Sequence, residues 1–422
     1  MYLLYTALLS LGFVLALPFY LWKGRATGKY LATFRERMGR LPAGIVSEGP
    51  SIWIHAVSVG EVLAARILVK PLKRRFPDHR VFISTSTMTG QAVARASPHG
   101  ADGLFYAPFD WPGPVRRVLA VLKPRLLLLV ETELWPNLIH EARRHGSRIA
   151  VVNGRISDRS LGRYRLSRVF LRRVLSEVDL LLMQTEEYAR RAVDIGALPD
   201  RVRVVGNLKY DALDPPEVPE ALARLLSLDG RGPLWVAGST VAGEEERVLA
   251  VFRRVREAFP EARLVIAPRH PERFDEIPGR VEAAGFRCAR RTRLGALPWR
   301  DAEVLLLDTI GELAQVYPAA TVVFVGGSLV PSGGHNVLEP AVAGKAVVVG
   351  PHMENFQEIA DRFRAEGALV QVDSDEGLAT AVLGLLADEG RRDEVGRRAR
   401  GLVERNRGAL LATLDALERL VA

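Results

Sequence analysis

A glycine-rich segment in the last third of the chain carries the clearest sign of a ligand site. Residues 333–340 read GGHNVLEP, after the apolar run Val322–Val325 and before a second apolar run, Ala346–Val349. The predicted order is therefore strand, glycine-rich loop, helix and strand. Glycines let a backbone approach a ligand closely, and the N–H groups at the start of a helix attract anions. Since Glu339 could accept hydrogen bonds from sugar hydroxyls, the segment predicts a nucleotide-sugar site.

Two glutamates stand at the predicted ends of strands, where a general base could work. Glu61 begins the helix after the first predicted strand, and Glu131 directly follows a later one. A carboxylate at such a position can take a proton from an attacking hydroxyl. An acidic residue is also favourable in the first turn of any helix, and Thr132 could cap a helix that holds Glu133. The residues alone leave the catalytic and the helix-capping interpretations open.

Further candidates follow strands in both halves of the chain. Lys209 lies near a predicted domain junction, where it could neutralise a phosphate or be an ordinary solvated lysine. Arg269 suits bidentate binding of phosphate or carboxylate. His270 could stack on a base, and we discount a metal because no second histidine stands at ligand spacing. Residues 308–312 end a strand and open a helix, so they could hold a base or phosphate edge, or simply cap the helix.

The composition is that of a globular protein with an anionic partner. The chain has 422 residues, of which 48% are hydrophobic and 25% charged, so disorder is not expected. Its net charge of +9 favours nucleic acid, an acidic membrane surface or a phosphorylated substrate, although an arginine-rich genome could account for any single arginine. The basic stretches lack interleaved aromatic residues for base stacking, which disfavours nucleic acid. The single cysteine, Cys288, excludes an internal disulfide and a cysteine metal site.

The N terminus departs from this globular pattern. Residues 2–22 are almost wholly apolar, and the first charge is Lys23, with further basic residues behind it. About 20 apolar helical residues span a bilayer, so we predict a membrane anchor at residues 1–22, with the rest of the chain on the cytoplasmic side. A cleaved signal peptide would need charges before the apolar run and a small-residue site after it. A helix lying in the membrane interface would need a polar face, which this segment lacks.

Apolar runs of strand length alternate with helical stretches along the rest of the chain. The predicted strands cover residues 52–57, 81–84, 126–130, 149–152, 180–183, 234–237, 264–267, 304–307, 322–325 and 346–349. Apolar strands separated by helices indicate parallel sheets covered on both faces. We therefore predict an α/β fold of two tandem Rossmann-like, doubly wound domains. Such sheets bind ligands at the carboxyl ends of their strands, so the site is expected in a cleft between the domains.

A proline-rich linker at residues 213–219 is predicted to separate the two domains. The first domain then covers residues 23–212 and the second residues 220–422. The tail after about residue 391 is helical in pattern and is free to pack back onto the first domain.

Five motifs, in order, resemble those of one known family. They are HAVSVGE at residues 55–61, ETELWPN at 131–137, NLK at 207–209, PRHPER at 268–273 and GHNVLEP at 334–340. With these motifs the whole chain resembles the 3-deoxy-D-manno-oct-2-ulosonic acid (Kdo) transferases, membrane-anchored glycosyltransferases of the GT-B fold.

The resemblance implies an activity and a role for each candidate residue. The implied reaction is transfer of Kdo from CMP-Kdo to a lipid A precursor of the lipid IVA type, in lipopolysaccharide core biosynthesis, at the cytoplasmic face of the inner membrane. It further implies inversion at the anomeric carbon, no metal and no other cofactor. Glu61 would be the general base, with Glu131 and Lys209 stabilising the transition state. The implied CMP site consists of Arg269, His270, Ile310, Gly311, Glu312, Asn336 and Glu339.

Two rival functions remain open on the sequence. One is another GT-B glycosyltransferase that uses a UDP-sugar and a different lipid acceptor. The other is a membrane-tethered nucleotide-binding module without activity, against which Glu61 argues. The arginine-rich stretch at residues 155–173 fits contact with lipid phosphates or anionic headgroups as well as it fits a solvated helix face.

Overall fold

The chain divides into two compact units, each built on one parallel sheet. The computed structural model describes residues 1–27, 31–46, 48–96, 100–212, 217–226, 232–294, 299 and 302–421. The first unit comprises Met1–Ala212 together with Arg407–Ala422, and the second comprises Leu213–Asn406.

The first unit contains a seven-stranded sheet in the order β3-β2-β1-β4-β5-β6-β7. Its strands are β1 (Ser51–His55), β2 (Arg80–Thr85), β3 (Gly103–Tyr106), β4 (Pro124–Val130), β5 (Arg148–Gly154), β6 (Leu180–Met183) and β7 (Val202–Val204). All pair in parallel. The chain reverses its direction of travel across the sheet between β1 and β4, the position where doubly wound sheets bind ligands.

Helices cover both faces of this sheet. They are α1 (Tyr2–Thr27), α2 (Leu31–Arg37), α3 (Val59–Arg75), α4 (Met88–Ala96), α5 (Pro112–Leu122), α6 (Pro136–His145), α7 (Asp158–Leu166), α8 (Arg168–Leu175) and α9 (Glu186–Asp194). Successive strand residues point to opposite faces, so Trp53 and Leu127 enter one apolar layer while Ile54 and Leu128 enter the other. The two layers bury the sheet on both sides, which explains the continuous apolar runs in its strands.

The second unit repeats the plan with a sheet in the order β10-β11-β9-β8-β12-β13-β14. Its strands are β8 (Leu234–Thr240), β9 (Arg263–Pro268), β10 (Cys288–Arg290), β11 (Val304–Leu306), β12 (Val322–Val325), β13 (Ala346–Val349) and β14 (Val370–Gln371). Its helices are α10 (Glu220–Leu226), α11 (Glu245–Ala258), α12 (Ile277–Ala283), α13 (Arg291–Leu294), α14 (Leu313–Val316), α15 (Leu338–Val342), α16 (Gln357–Ala365), α17 (Asp375–Ala387) and α18 (Glu389–Arg405). All strands are again parallel.

The last helix, α19 (Ala409–Val421), belongs to the first unit. The Asp211 carboxylate accepts hydrogen bonds from the N–H groups of Gly408 and Leu410, at 2.7 and 2.8 Å, and so fixes the start of the helix. Leu417 is fully buried in the layer that covers one face of the first sheet. Residues 407–422 therefore group with the first unit, and the second unit ends at Asn406.

The predicted fold class, two Rossmann-like α/β domains, is confirmed by the two parallel sheets. The division after Ala212 lies at the expected boundary, and residues 213–216 of the expected linker lie outside the described residues. The prediction missed β3, β7, β10 and β14, which have four residues or fewer. All four are edge strands and are only partly buried, so they lack the continuous buried apolar run by which equally short central strands were recognised.

The predicted single-pass membrane anchor is not supported. Among the described residues, no helix is both long enough and apolar enough to cross a bilayer.

One face of α1 instead packs on the first unit through polar and aromatic side chains. The hydroxyls of Tyr2 and Tyr5 donate to Glu177 and to Asp110, each at 2.9 Å. Phe13 packs edge-on against Trp111, with 4.9 Å between the ring centroids. These contacts give the first half of α1 a protein-facing side, which a hydropathy pattern does not reveal.

Candidate active site

The first sheet brings the candidate acidic residues to one edge. Glu61 follows β1 and Glu131 follows β4, and these two strands are hydrogen-bonded neighbours in parallel register. Since neighbouring strands lie about 4.8 Å apart, the two glutamates start from adjacent positions. Lys209 follows β7 in a short 3₁₀ helix, Leu208–Ala212, at the same edge.

Glu61 is buried in the first turn of α3. One of its carboxylate oxygens accepts the Val57 N–H at 2.6 Å, and the other accepts the Ser58 hydroxyl at 2.7 Å. Only 5% of the residue is exposed. Burial raises the pKa of Glu61 from 4.5 to about 8, and the charges of Glu133 and Glu131 add to this effect. Glu61 thus bonds to the residues just before α3, as the capping interpretation expects. Its raised pKa also gives the carboxylate a basicity that suits proton transfer near neutral pH.

Glu131 sits on a strained backbone beside a cation. Its φ is +57°, in the left-handed region that residues with a Cβ seldom adopt. Its carboxylate lies 3.9 Å from Lys209 Nζ. Strained residues at strand ends persist where the surroundings fix them and are common at functional sites.

Buried amides hold Lys209 in place. The Asn153 side chain, itself on a residue with φ of +54°, accepts the Leu208 N–H at 3.0 Å. The Asn207 side chain accepts the Lys209 N–H at 3.0 Å and donates to Gln184 at 3.0 Å. Glu131 and Lys209 therefore lie within ion-pair distance of each other, and their role in stabilising the transition state stays a prediction.

A third glutamate, Glu133, was not among the predicted site residues. It lies in the loop before α6, not inside a first helical turn, because α6 begins only at Pro136. The Trp135 indole N–H donates to Glu133 at 2.9 Å, and the Trp135 ring packs edge-on against the buried ring of His55, 4.5 Å away. Burial raises the pKa of Glu133 as well. Three carboxyl groups therefore share this edge.

The helix-capping interpretation of Thr132 is wrong. The Thr132 hydroxyl bonds to the backbone of Arg155, and the N terminus of α6 is capped from elsewhere. The Asp110 carboxylate accepts the N–H groups of Asn137 and Leu138, at 3.2 and 2.7 Å.

In the second unit, Arg269 lies at the centre of a cluster. Arg269 and His270 follow β9, and Asn336 and Glu339 follow β12. The Asn336 amide donates to Glu339 at 3.1 Å. Burial raises the pKa of Glu339, while Asn336 and the charge of Arg269 act in the opposite direction. Burial, Arg269 and His270 together lower the pKa of His335 to about 4, so this imidazole is neutral at pH 7.

Tyr317 is a further member of this cluster that the sequence did not indicate. It is fully buried, and Glu339 together with burial raises its pKa. A Cβ at Gly238, on β8, would collide with its hydroxyl. No motif marks Tyr317, because its proximity to Glu339 arises only from the packing of α15.

Residues 310–312 follow β11 at the same edge of the second sheet. Ile310 is 81% exposed, and Gly311 has φ of +92°. Glu312 accepts the Thr309 hydroxyl at 2.6 Å and pairs with Arg291 at 3.0 Å. These bonds hold Glu312 at the N-cap position of α14.

The glycine-rich loop after β12 is held from inside the protein. The buried Glu244 carboxylate accepts the N–H groups of Gly327, Ser328 and Leu329 at 2.7 to 3.0 Å, and also that of Val241. These N–H groups therefore already have an acceptor inside the protein; the predicted anion site concerned other N–H groups, those at the start of the following helix. Asn336 similarly accepts the Leu338 N–H at the start of α15.

The described residues contain no group of three or more His, Cys, Asp or Glu side chains arranged to hold a metal ion.

Comparisons with known proteins identify relatives of this chain. The family model of 3-deoxy-D-manno-octulosonic-acid transferase (kdotransferase) matches residues 32–212. The 3-deoxy-D-manno-octulosonic acid transferase of Haemophilus influenzae is 33% identical over 98% of this chain and 97% of its own length. That of Bordetella pertussis is 37% identical over 93% of each chain.

A solved structure supports the fold alone. The putative UDP-N-acetylglucosamine 2-epimerase of Listeria monocytogenes superposes with a TM-score of 0.56 at 14% identity, over 88% of this chain and 96% of its own. The family match and the two relatives establish that the chain belongs to the 3-deoxy-D-manno-octulosonic acid (Kdo) transferases, which are glycosyltransferases.

Proposed function

We propose that this protein transfers Kdo from CMP-Kdo to a lipid A precursor of the lipid IVA type, in lipopolysaccharide core biosynthesis. The observation that carries the proposal is the group of glutamates at the carboxyl edge of the first sheet. Within it, burial and two neighbouring carboxylates raise the pKa of Glu61 to about 8. A glycosyl transfer to a hydroxyl needs one such base.

The proposed step is a direct displacement. The acceptor hydroxyl oxygen bonds to the anomeric carbon of Kdo. As it does so, the Glu61 carboxylate takes the proton of that hydroxyl. The bond from that carbon to the CMP phosphate breaks, and its electron pair leaves with CMP. Attack opposite the leaving group inverts the anomeric carbon. Lys209, beside Glu131, is proposed to stabilise the negative charge that develops in the transition state.

The donor is proposed to bind in the second unit. Arg269 suits the CMP phosphate or the Kdo carboxylate, since a guanidinium binds either in a bidentate manner. Glu339, oriented by Asn336, is proposed to accept ribose hydroxyls. His270, neighbouring Arg269, is proposed to stack on the base, with Ile310, Gly311 and Glu312 at its edge.

The proposal uses no metal, because side-chain cations supply the positive charge. We expect a chelator to leave turnover unchanged. A large loss of activity that added Mg²⁺ restores would contradict this part of the proposal.

We also propose that α1 rests on the anionic cytoplasmic surface of the inner membrane without spanning it. Its protein-facing side carries Tyr2 and Tyr5, as described above, while the opposite side is exposed and apolar. The exposed residues of this side are Leu3, Leu4, Leu8, Leu11, Val14 and Leu15. Phe170 packs against both tyrosines. The exposed residues Leu166 and Val169 lie close to it in the sequence and add to the apolar surface. Exposed apolar residues along one side of a helix are typical of membrane contact.

Vesicle binding tests the membrane surface. The double variant Leu8→Gln/Leu11→Gln should bind vesicles of anionic phospholipid at least about tenfold more weakly, because each buried leucine contributes roughly 1.5–3 kcal/mol. Leu411→Gln on α19 is the matched control, since Leu411 is exposed to a similar extent, 66% against 60% for Leu8. Equal binding by both variants would contradict the assignment.

Turnover tests the transfer itself. Purified protein should release CMP from CMP-Kdo only when a lipid A precursor is present, and CMP should compete with the donor. Inhibition by UDP but not by CMP would indicate a different sugar nucleotide.

A further inference from the structure

The carboxyl ends of β4 and β5 frame a polar pocket in the first unit. Its walls are residues 131–133 after β4, Arg155 and Ser157 after β5, and Ser160 and Tyr164 on α7. Its cavity volume is about 150 Å³, below the roughly 300–1,000 Å³ of sites for drug-sized ligands, so it suits a small polar group of a ligand rather than a whole large molecule.

Opposite walls of the pocket have different chemistry. Glu131 and Glu133 place carboxyl groups on one side. The other side carries hydroxyls, with Ser157 Oγ and Ser160 Oγ 3.1 Å apart. Carboxylates and hydroxyls arranged around one cavity suit a ligand that itself bears several hydroxyls.

Among the described residues that line the pocket, Arg155 is the only cation. Its backbone is fixed by Thr132, but no carboxylate in the described residues pairs with its guanidinium. Nearby arginines differ, since Arg165 pairs with Asp194 and Arg191 with Asp158. A partly buried guanidinium without a carboxylate partner is suited to an anionic group on a ligand.

We propose that this pocket binds the reacting amino sugar of the acceptor, with a phosphate substituent of that sugar on Arg155. The two glutamates repel a phosphate from their side, so the phosphate lies toward Arg155 and the serines, and the ring hydroxyls lie toward Glu131 and Glu133. Glu61 lies in α3 after β1, the neighbour of β4, and the charges of Glu133 and Glu131, two residues of the pocket wall, act on its carboxyl. A sugar in the pocket thus presents its attacking hydroxyl toward the proposed base. This inference rests on the proposed function.

Variants with paired acceptors test the assignment. The rate is measured against acceptor concentration, with a phosphorylated lipid A precursor and with the same precursor after removal of the phosphates. Arg155→Gln should raise KM for the phosphorylated acceptor about ten- to a hundredfold, and leave KM for the dephosphorylated acceptor and for CMP-Kdo unchanged. Tyr164→Phe should raise KM for both acceptors about two- to tenfold. Arg163→Gln, an exposed arginine on the same helix, is the control and should change neither.

A direct binding measurement separates this proposal from the proposed function. Binding of a soluble glucosamine phosphate to the full chain is followed by ligand-detected NMR, for wild type and Arg155→Gln. If the wild type binds the sugar phosphate, Arg155→Gln does not, and the wild type turns over no acceptor, the assignment of the pocket is sustained and the proposed function is overturned. If the wild type turns over normally and Arg155→Gln changes KM equally for both acceptors, or for neither, the assignment of the pocket is overturned and the proposed function stands.

Discussion

Replacing Glu61 by glutamine isolates the property on which the mechanism depends. Glutamine keeps the size of the side chain and can still accept the Val57 N–H through its carbonyl oxygen. It cannot take a proton. If Glu61 served only the start of α3, the substitution would cost about 0.3–1 kcal/mol of stability and leave turnover nearly intact.

The raised pKa of Glu61 sets the size of the expected effects on activity. With a pKa of about 8, only about a tenth of the protein carries the basic form at pH 7. The wild-type kcat/KM should therefore rise about tenfold per pH unit below pH 8 and level off above it. In Glu61→Gln we expect kcat to fall roughly 10²–10⁴-fold and the rise with pH to vanish.

The same pKa predicts a change in stability with the opposite dependence on pH. Because the folded-state pKa lies above the unfolded value of 4.5, the folded protein holds its proton longer than the unfolded chain does. Stability is full below about pH 4.5 and falls as the pH rises to about 8. Each pKa unit corresponds to 1.36 kcal/mol, so the wild type should lose up to about 5 kcal/mol relative to Glu61→Gln over this range.

Two measurements check the reasoning on the same preparations. Initial rates between pH 5.5 and about 9 give the profile, and thermal unfolding at pH 5 and at pH 8 gives the stability difference. Near-normal turnover in Glu61→Gln would refute the assignment of the base, and Glu131 would be the next candidate. If the difference in stability between the wild type and Glu61→Gln were the same at both pH values, the raised pKa of the buried Glu61 carboxyl would be refuted.

Four further substitutions test the surrounding residues. Glu133→Gln removes a charge that raises the pKa of Glu61, so the rising part of the pH–activity profile should move to lower pH. An unchanged profile would show that the charge of Glu133 does not act on Glu61. Arg269→Ala and Glu339→Ala should each weaken CMP binding about ten- to a hundredfold, measured by calorimetry, and unchanged affinity in both would place the donor elsewhere. Glu244→Gln leaves buried N–H groups of the glycine-rich loop without an acceptor, so it should lower the stability of the second unit by about 1–3 kcal/mol per lost bond; an unchanged melting temperature would contradict the role of Glu244 in the loop.

Strands bounded by polar residues or turns could be located closely from the sequence. Leu180–Met183, Val322–Val325 and Ala346–Val349 begin and end where predicted, because each is a buried apolar run with polar residues or turns at both ends. The edge strands Gly103–Tyr106 and Val370–Gln371 were missed, since they are short and are defined by pairing with a neighbour.

The pairing of acidic residues could be anticipated only in part. Glu61 and Glu131 were recognisable at strand ends, but the sequence does not show that their strands are neighbours. Glu133 and Tyr164 escaped because they lie in a loop and on a helix that meet only in three dimensions, around the pocket beside β4 and β5. Glu244 escaped because its four N–H partners come from a segment more than eighty residues away and from its own loop.

The N-terminal helix shows where hydropathy misleads. Its apolar run predicted a membrane span, yet Tyr2, Tyr5 and Phe13 recur on the side that contacts the first unit. Tyrosine is typical both of membrane interfaces and of protein packing, and only the contacts with Glu177 and Asp110 distinguish the two.

Mass spectrometry of the reaction product tests the central claim most directly. The full chain is incubated with CMP-Kdo and a tetra-acylated lipid A precursor, beside Glu61→Gln as the matched control. We expect the wild type to add one or more whole Kdo residues to the acceptor with release of CMP, and the variant to add almost none in the same time. An acceptor of unchanged mass with CMP-Kdo, or one that gains a sugar from a UDP-linked donor instead, would contradict the account.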